Sequence, residues 1–282
     1  MGALYDTIGK EYSVGRRTDP KIAAHISRFL AGAASILNIG AGTGSYETGD
    51  ANLIAVEPSR MMINQRSSGA YPVAQASAES LPFKDGAFTH SMTVLSMHHW
   101  SNRTEAFKEI KRVTTQRFVA VTWNPASKPY WLSADYFPEI HHVDQAIFPS
   151  LQELTIAFPG MKFHSLPIPS DCIDGFTAAY WAKPQAYLDP IARQSMSTFT
   201  KIGNVESGLS KLESDLKSGI WENRYAEVTG LMELDVGYKV AVWDAPNVVL
   251  KLRDESTPGC AKTPWPGATT GASTRSPCAA GP

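Results

Sequence analysis

This 282-residue chain has few cysteines, almost no net charge and no long apolar run. Three cysteines, Cys172, Cys260 and Cys278, provide no disulfide framework, so we expect a reducing, cytoplasmic compartment. A net charge of −1 supplies no basic field for nucleic acid or an anionic membrane, and neither is an expected partner. No apolar run approaches the roughly 18 residues of a membrane span, and the N-terminus shows no apolar secretory segment. We expect a soluble protein, monomeric or homodimeric.

Strands and helices alternate between residues 35 and 123 in the order typical of a parallel, doubly wound sheet. A helix over 102–113 begins with Asn102 as its cap, with a Glu three residues later. The predicted layout is cap helices 1–34, a nucleotide-binding core 35–124, an aromatic-rich helical lid 125–233 with a strand near 161–169, a last strand 234–250, and a disordered tail 251–282.

The segment "SILNIGAGTGSYE" (35–47) places three glycines directly after the first predicted strand. Gly40, Gly42 and Gly44 let the backbone turn sharply and approach a ligand closely, because no Cβ intervenes. A dinucleotide site requires the spacing G-x-G-x-x-G, which is absent in strict form. The loop therefore predicts a nucleotide-like ligand of another kind.

Three motifs in register resemble the class I S-adenosylmethionine-dependent methyltransferases, in their small-molecule, type 11 and ubiquinone-biosynthesis-like group. They are "ILNIGAGTG", then "AVEPSRMM" at the end of the second strand, then "ASAESLPFKDGAFTHSMTVLSMHHW". The resemblance covers roughly residues 1–243. It implies an α/β, Rossmann-like, doubly wound and mostly parallel seven-stranded sheet with an antiparallel last strand and a helical lid. It implies S-adenosylmethionine as cofactor, S-adenosylhomocysteine as product and a small-molecule acceptor.

The resemblance also implies the residues that hold the cofactor. The glycine backbone would approach the methionine and ribose portions, and Glu57 would accept hydrogen bonds from both ribose hydroxyls. Read without that context, Glu57 is an exposed strand-end carboxylate. The full predicted set is Asn38, Gly40, Ala41, Gly42, Gly44, Glu57, Pro58, Met62, Ser77, Ala78, Glu79 and Leu95.

Four of these positions would surround the adenine and the reacting methyl. Met62 would pack on the adenine face, Ala78 would donate its backbone N–H, and Leu95 would lie beside the methyl group. Ser77 stands where many members of the family have Asp. The plainer alternatives are core packing for Met62 and Leu95, and a turn cap for Ser77.

Two departures from the family pattern concern the glycine loop. Asn38 occupies a position that is usually Asp or Glu, so it adds no negative charge opposite the cofactor ammonium. A charge-assisted hydrogen bond is worth roughly 1.5–3 kcal/mol against about 1 for a neutral one, and we expect weaker cofactor binding. The interval from Gly40 to Glu57 is about one helical turn short, so a full first helix is not expected.

Methyl transfer from a sulfonium needs alignment and exclusion of water more than it needs a covalent catalyst. A base is required only when the nucleophile arrives protonated. The predicted catalytic candidates are His98 and His99 at the end of the fourth strand, of which one at most faces the site. The alternative is a pair of loop histidines bonded to backbone.

The predicted substrate-binding side chains are Tyr5, Tyr12, Arg16 and Trp131. A solvated Arg16–Arg17 pair is the plainer interpretation of the arginine. A metal site is not expected, because His141, His142 and the cysteines lack Cys-x₂-Cys or His-x₃-His spacing.

Two other functions stay open from the sequence. One is a protein that binds the cofactor without turnover, which Asn38 and the short loop would favour. The other is an NAD(P)-dependent reductase, which the glycine spacing and the lack of a Tyr-x-x-x-Lys pair after the fourth strand disfavour.

Overall fold

The structure, a computed structural model, describes residues 15–47 and 52–246. The predicted tail 251–282, the first 14 residues of the predicted cap, and with them Tyr5 and Tyr12, lie outside the described residues. The remaining part of the cap contains helix α1 (Pro20–Leu30), whose first N–H groups are capped by the Asp19 carboxylate.

A seven-stranded sheet organises the chain, as predicted. Its strands are β1 (Ser35–Ile39), β2 (Asn52–Val56), β3 (Val73–Ala74), β4 (Phe88–Val94), β5 (Thr114–Trp123), β6 (Lys162–Ser165) and β9 (Tyr238–Asp244). Their spatial order is β3-β2-β1-β4-β5-β9-β6. The first five strands in this order pair in parallel, and β9 runs antiparallel to both β5 and β6.

Residues predicted as one last strand form two. β8 (Glu233–Leu234) pairs with β7 (Ile168–Pro169) in a separate two-stranded ribbon, and only β9 joins the main sheet. The break lies at Gly237, whose φ of +98° is a left-handed conformation that suits glycine. The Asp235 carboxylate accepts the Gly237 N–H at 2.9 Å and fixes this turn.

Helices cover both faces of the sheet. α1 packs Ile22, Ile26 and Leu30 on one face, and α3 (Arg103–Val113) packs Phe107 and Ile110 on the other. Neighbouring strand residues alternate between the two cores, as the period of two requires. The predicted cap of α3 is confirmed, since the Asn102 side chain accepts the Glu105 N–H at 3.2 Å.

Between β5 and β9 the chain forms the lid and builds a third core from its own aromatic residues. The lid begins with a π-helical turn (Leu132–Tyr136), and α4 (Pro138–Ile147) follows as a separate helix because Pro138 begins it at its first position. The other α-helices are α2 (Arg60–Asn64) after β2, then α5 (Leu151–Ala157), α6 (Pro190–Gln194), α7 (Val205–Lys217), α8 (Ile220–Arg224) and α9 (Ala226–Thr229).

The strand order reverses direction between β1 and β4, which are neighbours in the sheet. In open α/β sheets a crevice forms at such a point, outside the carboxyl ends of the strands. The glycine loop follows β1, and its described residues 41–47 form turns, not a helix. Within the ranges described, no helix is both long and apolar enough to cross a bilayer.

Candidate active site

A cavity of about 580 Å³ lies at the carboxyl ends of β1, β2 and β4. This volume falls within the roughly 300–1,000 Å³ of small-molecule and cofactor sites. All twelve predicted cofactor positions except Gly44 line it. The lining residues are Arg16, Asn38, Gly40, Ala41, Gly42, Thr43, Ser45, Tyr46, Glu57, Pro58, Met62, Ser77, Ala78, Glu79, Val94, Leu95, Ser96, His99, Trp100 and Ser101.

The loop glycines have different reasons to be glycine. Gly40 has a φ of +68°, and a Cβ there would lie 1.8 Å from the Ser96 hydroxyl oxygen. Gly42 has a φ of +54°, and its nearest obstacle is the Met62 methyl group at 3.5 Å. Gly40 therefore allows the loop to pack against the turn after β4, while Gly42 exposes backbone toward the cavity.

Glu57 is buried, with 5% of its surface exposed, so the exposed strand-end alternative is excluded. Its Oε2 accepts the Gly42 N–H at 2.8 Å and its Oε1 accepts the Ser59 N–H at 2.9 Å. The carboxylate therefore ties the glycine loop to the start of α2. An ionised carboxylate only accepts hydrogen bonds, on two oxygens with about four acceptor sites, which is the chemistry that a pair of neighbouring hydroxyl groups requires.

Asn38 is joined to a buried ion pair that the sequence did not reveal. Its Nδ2 donates to Glu47 Oε1 at 3.1 Å, and Arg66 Nη2 donates to Glu47 Oε2 at 2.6 Å. The side chains of Arg66 and Glu47 are 4% and 3% exposed. A carboxylate only accepts hydrogen bonds, so it fixes the amide of Asn38 with the NH₂ group toward Glu47.

Two of the predicted cofactor positions, Ser77 and Glu79, are held by hydrogen bonds of their own. Glu79 Oε1 accepts the backbone N–H groups of Ser101 and Asn102 at 2.8 and 3.1 Å. Burial would raise the pKa of Glu79, but these bonds and those from the Ser101 and Ser77 hydroxyls outweigh it, and the pKa lies below its ordinary value. Ser77 therefore bonds a neighbouring side chain as well as lining the cavity.

Met62 and Leu95 serve the core and the cavity wall together. Met62 is 2% exposed and still lines the cavity. Leu95 has a φ of +49°, an unfavourable conformation for a residue with a Cβ. Backbone strain of this kind is concentrated at functional sites. Here it lies at the carboxyl end of β4, where the chain turns along the cavity.

Of the two histidines, His99 lines this cavity and His98 does not. The His98 ring stacks on Phe148 with centroids 4.1 Å apart. Burial, aided by the cations Lys201 and Arg16, lowers the pKa of His99 to about 3. Burial, and after it the electrostatic effect of the neighbouring His99, also places the pKa of His98 well below its ordinary value. Both rings are neutral near pH 7, and both are weak bases.

Arg16 lines the cavity, but it is not a solvated cation. Its Nε donates to Asp174 at 2.6 Å, and the Arg16 and Asp174 side chains are 10% and 0% exposed. Asp174 also accepts from the Tyr46 hydroxyl at 2.8 Å and from the Gly175 N–H at 2.7 Å. The arginine charge is thereby balanced, and the network joins the glycine loop to the lid.

Trp131 does not line the cavity. It is 5% exposed inside the lid core, where it meets Trp221 edge to face with centroids 5.2 Å apart. Its indole N–H donates to the Trp181 carbonyl at 2.9 Å. The structure therefore gives Trp131 a packing role. The sequence alone could not separate this role from a place in the wall of a substrate pocket, because both favour a cluster of aromatic residues.

Residues 15–47 and 52–246 hold no cluster of His, Cys, Asp and Glu suited to a metal.

Sequence reasoning missed several residues around the site. Tyr46, Glu47, Arg66 and Asp174 form its buried polar supports. Tyr46 and Glu47 directly follow the third glycine, a position that could have marked them. Arg66 and Asp174 carry no sequence signal, because only the folded chain brings them to the loop.

Comparison with known proteins bears on the same region. The model of a family described as "Methyltransferase domain" matches residues 37–117. No curated protein matches this chain. A solved structure of a protein assigned as a methyltransferase of an antibiotic biosynthesis pathway in Anabaena variabilis ATCC 29413 has 29% identity and a TM-score of 0.75, covering 81% of this chain and 98% of that one.

A second solved structure, the [4+2]-cyclase SpnF, has 15% identity and a TM-score of 0.50, covering 87% of this chain and 95% of that one. At that identity the likeness concerns the fold alone. The domain match, the Anabaena structure and the seven-stranded sheet with its glycine loop all agree with the resemblance seen in the sequence. Together these findings support a class I S-adenosylmethionine-dependent methyltransferase, with S-adenosylmethionine as its cofactor.

Proposed function

We propose that this enzyme transfers the methyl group of S-adenosylmethionine to a small-molecule acceptor by in-line displacement at the sulfonium. The observation that carries the proposal is the cavity at the carboxyl ends of the strands. The glycine loop and the buried Glu57 both line it. The lid closes one edge of the cavity, where its Asp174 binds Arg16 and Tyr46, and this closed edge favours a small acceptor over a macromolecular one.

Each cofactor portion has residues suited to it. Glu57 would accept hydrogen bonds from the ribose hydroxyls, and Gly42, held by Glu57, would keep the loop backbone close to the ligand. Asn38 would take the methionine end through its amide oxygen. Met62 would pack on the adenine, and Leu95 would lie beside the methyl group.

The acceptor side fits a reaction without a covalent catalyst. The electrophile is already activated, so the residues of the cavity need to orient the two reactants and keep water out.

The proposal includes a cytoplasmic location, a monomeric or homodimeric state and no nucleic-acid partner. The near-zero net charge and the small number of cysteines support the location and the lack of a nucleic-acid partner.

Calorimetric titration with S-adenosylhomocysteine tests the cofactor site. Glu57→Ala should weaken binding at least tenfold, because charge-assisted bonds worth roughly 1.5–3 kcal/mol each disappear. Glu139→Gln, which removes an exposed carboxylate on α4, is the matched control and should bind as the wild type does. An unchanged dissociation constant in Glu57→Ala would remove Glu57 from the ribose site.

Transfer is tested separately with methyl-labelled S-adenosylmethionine and a small-molecule extract. A labelled small-molecule product supports the proposal. Binding without any labelled product would indicate the alternative of a cofactor-binding protein without turnover. Absence of binding to folded protein would reject both.

A further inference from the structure

A second, smaller void adjoins the main cavity. Its volume is about 30 Å³, and it shares Arg16, Leu95 and His99 with the larger cavity. The remaining wall comes mainly from the lid and includes the rings of Phe148 and Phe176. Because Leu95 is the residue proposed to lie beside the methyl group, this void lies on the side from which an acceptor would approach.

Asp144 is the carboxylate in this wall. Among the lining residues that the structure describes, no other is acidic. It lies on α4, and its Oδ1 accepts the Thr198 hydroxyl at 2.8 Å. Its Oδ2 accepts no hydrogen bond from the part of the chain that the structure describes. Asp144 also borders a void of about 20 Å³ on the side of Tyr130, so space adjoins it on both sides.

The groups around Asp144 set its charge. Burial raises its pKa to about 6, while the Thr198 hydroxyl and the Lys201 cation act in the opposite direction. Burial places the pKa values of the neighbouring phenols, Tyr130 and Tyr238, well above their ordinary value, so both stay protonated.

The other titratable groups on the void differ from Asp144. Both histidines are neutral near pH 7, and the Arg16 charge is balanced by Asp174. Near neutral pH Asp144 is thus ionised but close to its titration range, which suits a group that accepts a proton during a reaction.

We propose that this void receives the nucleophilic end of the acceptor, an uncharged hydroxyl or amine on an apolar body, and that Asp144 accepts its proton. The proposal rests on the proposed methyl transfer. The void has room only for a group of one or two heavy atoms, so the body of the acceptor would lie in the larger cavity. A carboxylate or phosphate end is disfavoured, because it would face the Asp144 anion among apolar rings.

The step balances with the residues and reactants named. The oxygen or nitrogen lone pair forms the new bond to the methyl carbon, and the carbon–sulfur bond breaks with its electron pair staying on sulfur. The thioether product is neutral at sulfur. The proton leaves the nucleophile for Asp144 Oδ2, which later returns it to solvent.

Binding to the enzyme saturated with S-adenosylhomocysteine tests this role without requiring turnover. The probes are benzyl alcohol and aniline, an amine that is uncharged near neutral pH, with toluene as the analogue that lacks a donor, and binding is followed by ligand-observed NMR. We expect the alcohol, the amine or both to bind at least about fivefold more tightly than toluene. The alcohol and amine arms distinguish an oxygen acceptor from a nitrogen acceptor.

Three variants separate Asp144 from general effects on the fold. Asp144→Asn should lose most of the preference over toluene, and Glu139→Gln on the same helix should keep it. In the wild type the preference for benzyl alcohol over toluene should change in a step centred on about pH 6. Asp144→Asn should show no such step. Thr198→Val should move the step to higher pH, because the lost hydrogen bond had lowered the pKa of Asp144.

Equal binding of toluene and both donors by the wild type would overturn the proposal, as would a preference and pH step retained in Asp144→Asn. The S-adenosylhomocysteine titration on the same samples keeps the two proposals apart. Intact cofactor binding without donor preference rejects only the role of Asp144. Loss of cofactor binding by the wild type rejects methyl transfer, and the Asp144 role with it.

Discussion

Asn38→Asp is the substitution on which family pattern and structure disagree most directly. The pattern favours an acid at this position, so Asp should strengthen cofactor binding. In the structure Asn38 Nδ2 donates to Glu47 Oε1 at 3.1 Å, and Arg66 already neutralises that carboxylate. An Asp would remove the donor and bring a second carboxylate against Glu47. We therefore expect Asn38→Asp to destabilise the protein and to leave cofactor binding no tighter.

The magnitude follows from the lost bond. A hydrogen bond to a charged group contributes roughly 1.5–3 kcal/mol, and in a domain of this size 1 kcal/mol corresponds to about 2–4 °C in Tm. A fall in Tm of roughly 3–12 °C is expected at pH 8. Two facing carboxylates raise the pKa of one of them. A raised folded-state pKa means that the stability is present at low pH and lost as pH rises, so the deficit should shrink toward pH 5.

Thermal unfolding at pH 5 and pH 8, with and without S-adenosylhomocysteine, measures this. Asn204→Asp, at an exposed position before α7, adds the same charge without a buried partner and should leave Tm nearly unchanged. Adding Glu47→Gln to Asn38→Asp should recover part of the loss, since the Gln amide can donate to the Asp. A variant with wild-type Tm and tighter cofactor binding would refute this reasoning.

Two further predictions concern buried groups around the cavity. Asp174→Asn should cost roughly 3–5 kcal/mol in urea unfolding, because it leaves the buried Arg16 guanidinium without its counter-charge. Asp171→Asn breaks an exposed pair with Lys21 and should leave the free energy of unfolding nearly unchanged, because solvent screens that pair. Similar losses in both variants would contradict the buried-pair argument. His99→Gln should make the free energy of unfolding depend less on pH below neutrality. In the wild type the folded-state pKa of His99, about 3, lies below the ordinary 6.5, so stability is lost as pH falls below 6.5. The loss amounts to about 2 kcal/mol at pH 5. Unfolding at pH 7.5 and 5 checks this against His142→Gln on the exposed side of α4, and an equal acid loss in wild type and His99→Gln would show that His99 is not desolvated.

The core of the fold could be predicted because its signals are local. Apolar runs of five to seven residues, separated by helices with recognisable caps such as Asn102, fix both the type and the order of the elements. The lid could be predicted less well. Its short helices begin at prolines such as Pro138 and are stabilised by an aromatic core assembled from distant segments, so local propensity does not set their bounds.

The cofactor side of the cavity likewise follows from sequence. The glycines and Glu57 are placed at the ends of consecutive strands, and parallel strands bring those ends together. The polar supports could not be found in this way. Asp174 lies 158 residues from Arg16 and 128 from Tyr46, so their pairing depends on how the lid docks.

The sequence by itself determined the parallel sheet, the loop that turns at its edge and the carboxylate of Glu57 beside that loop, because hydrophobic period, glycine and strand ends are properties of short segments. Only the tertiary structure decided what charge the site carries. Asn38 is backed by Glu47 and Arg66, Arg16 is balanced by Asp174, the histidines are neutral, and Asp144 reaches the void beside Leu95. Charge in a buried site depends on desolvation and on partners brought from distant parts of the chain, and neither is written in a local pattern.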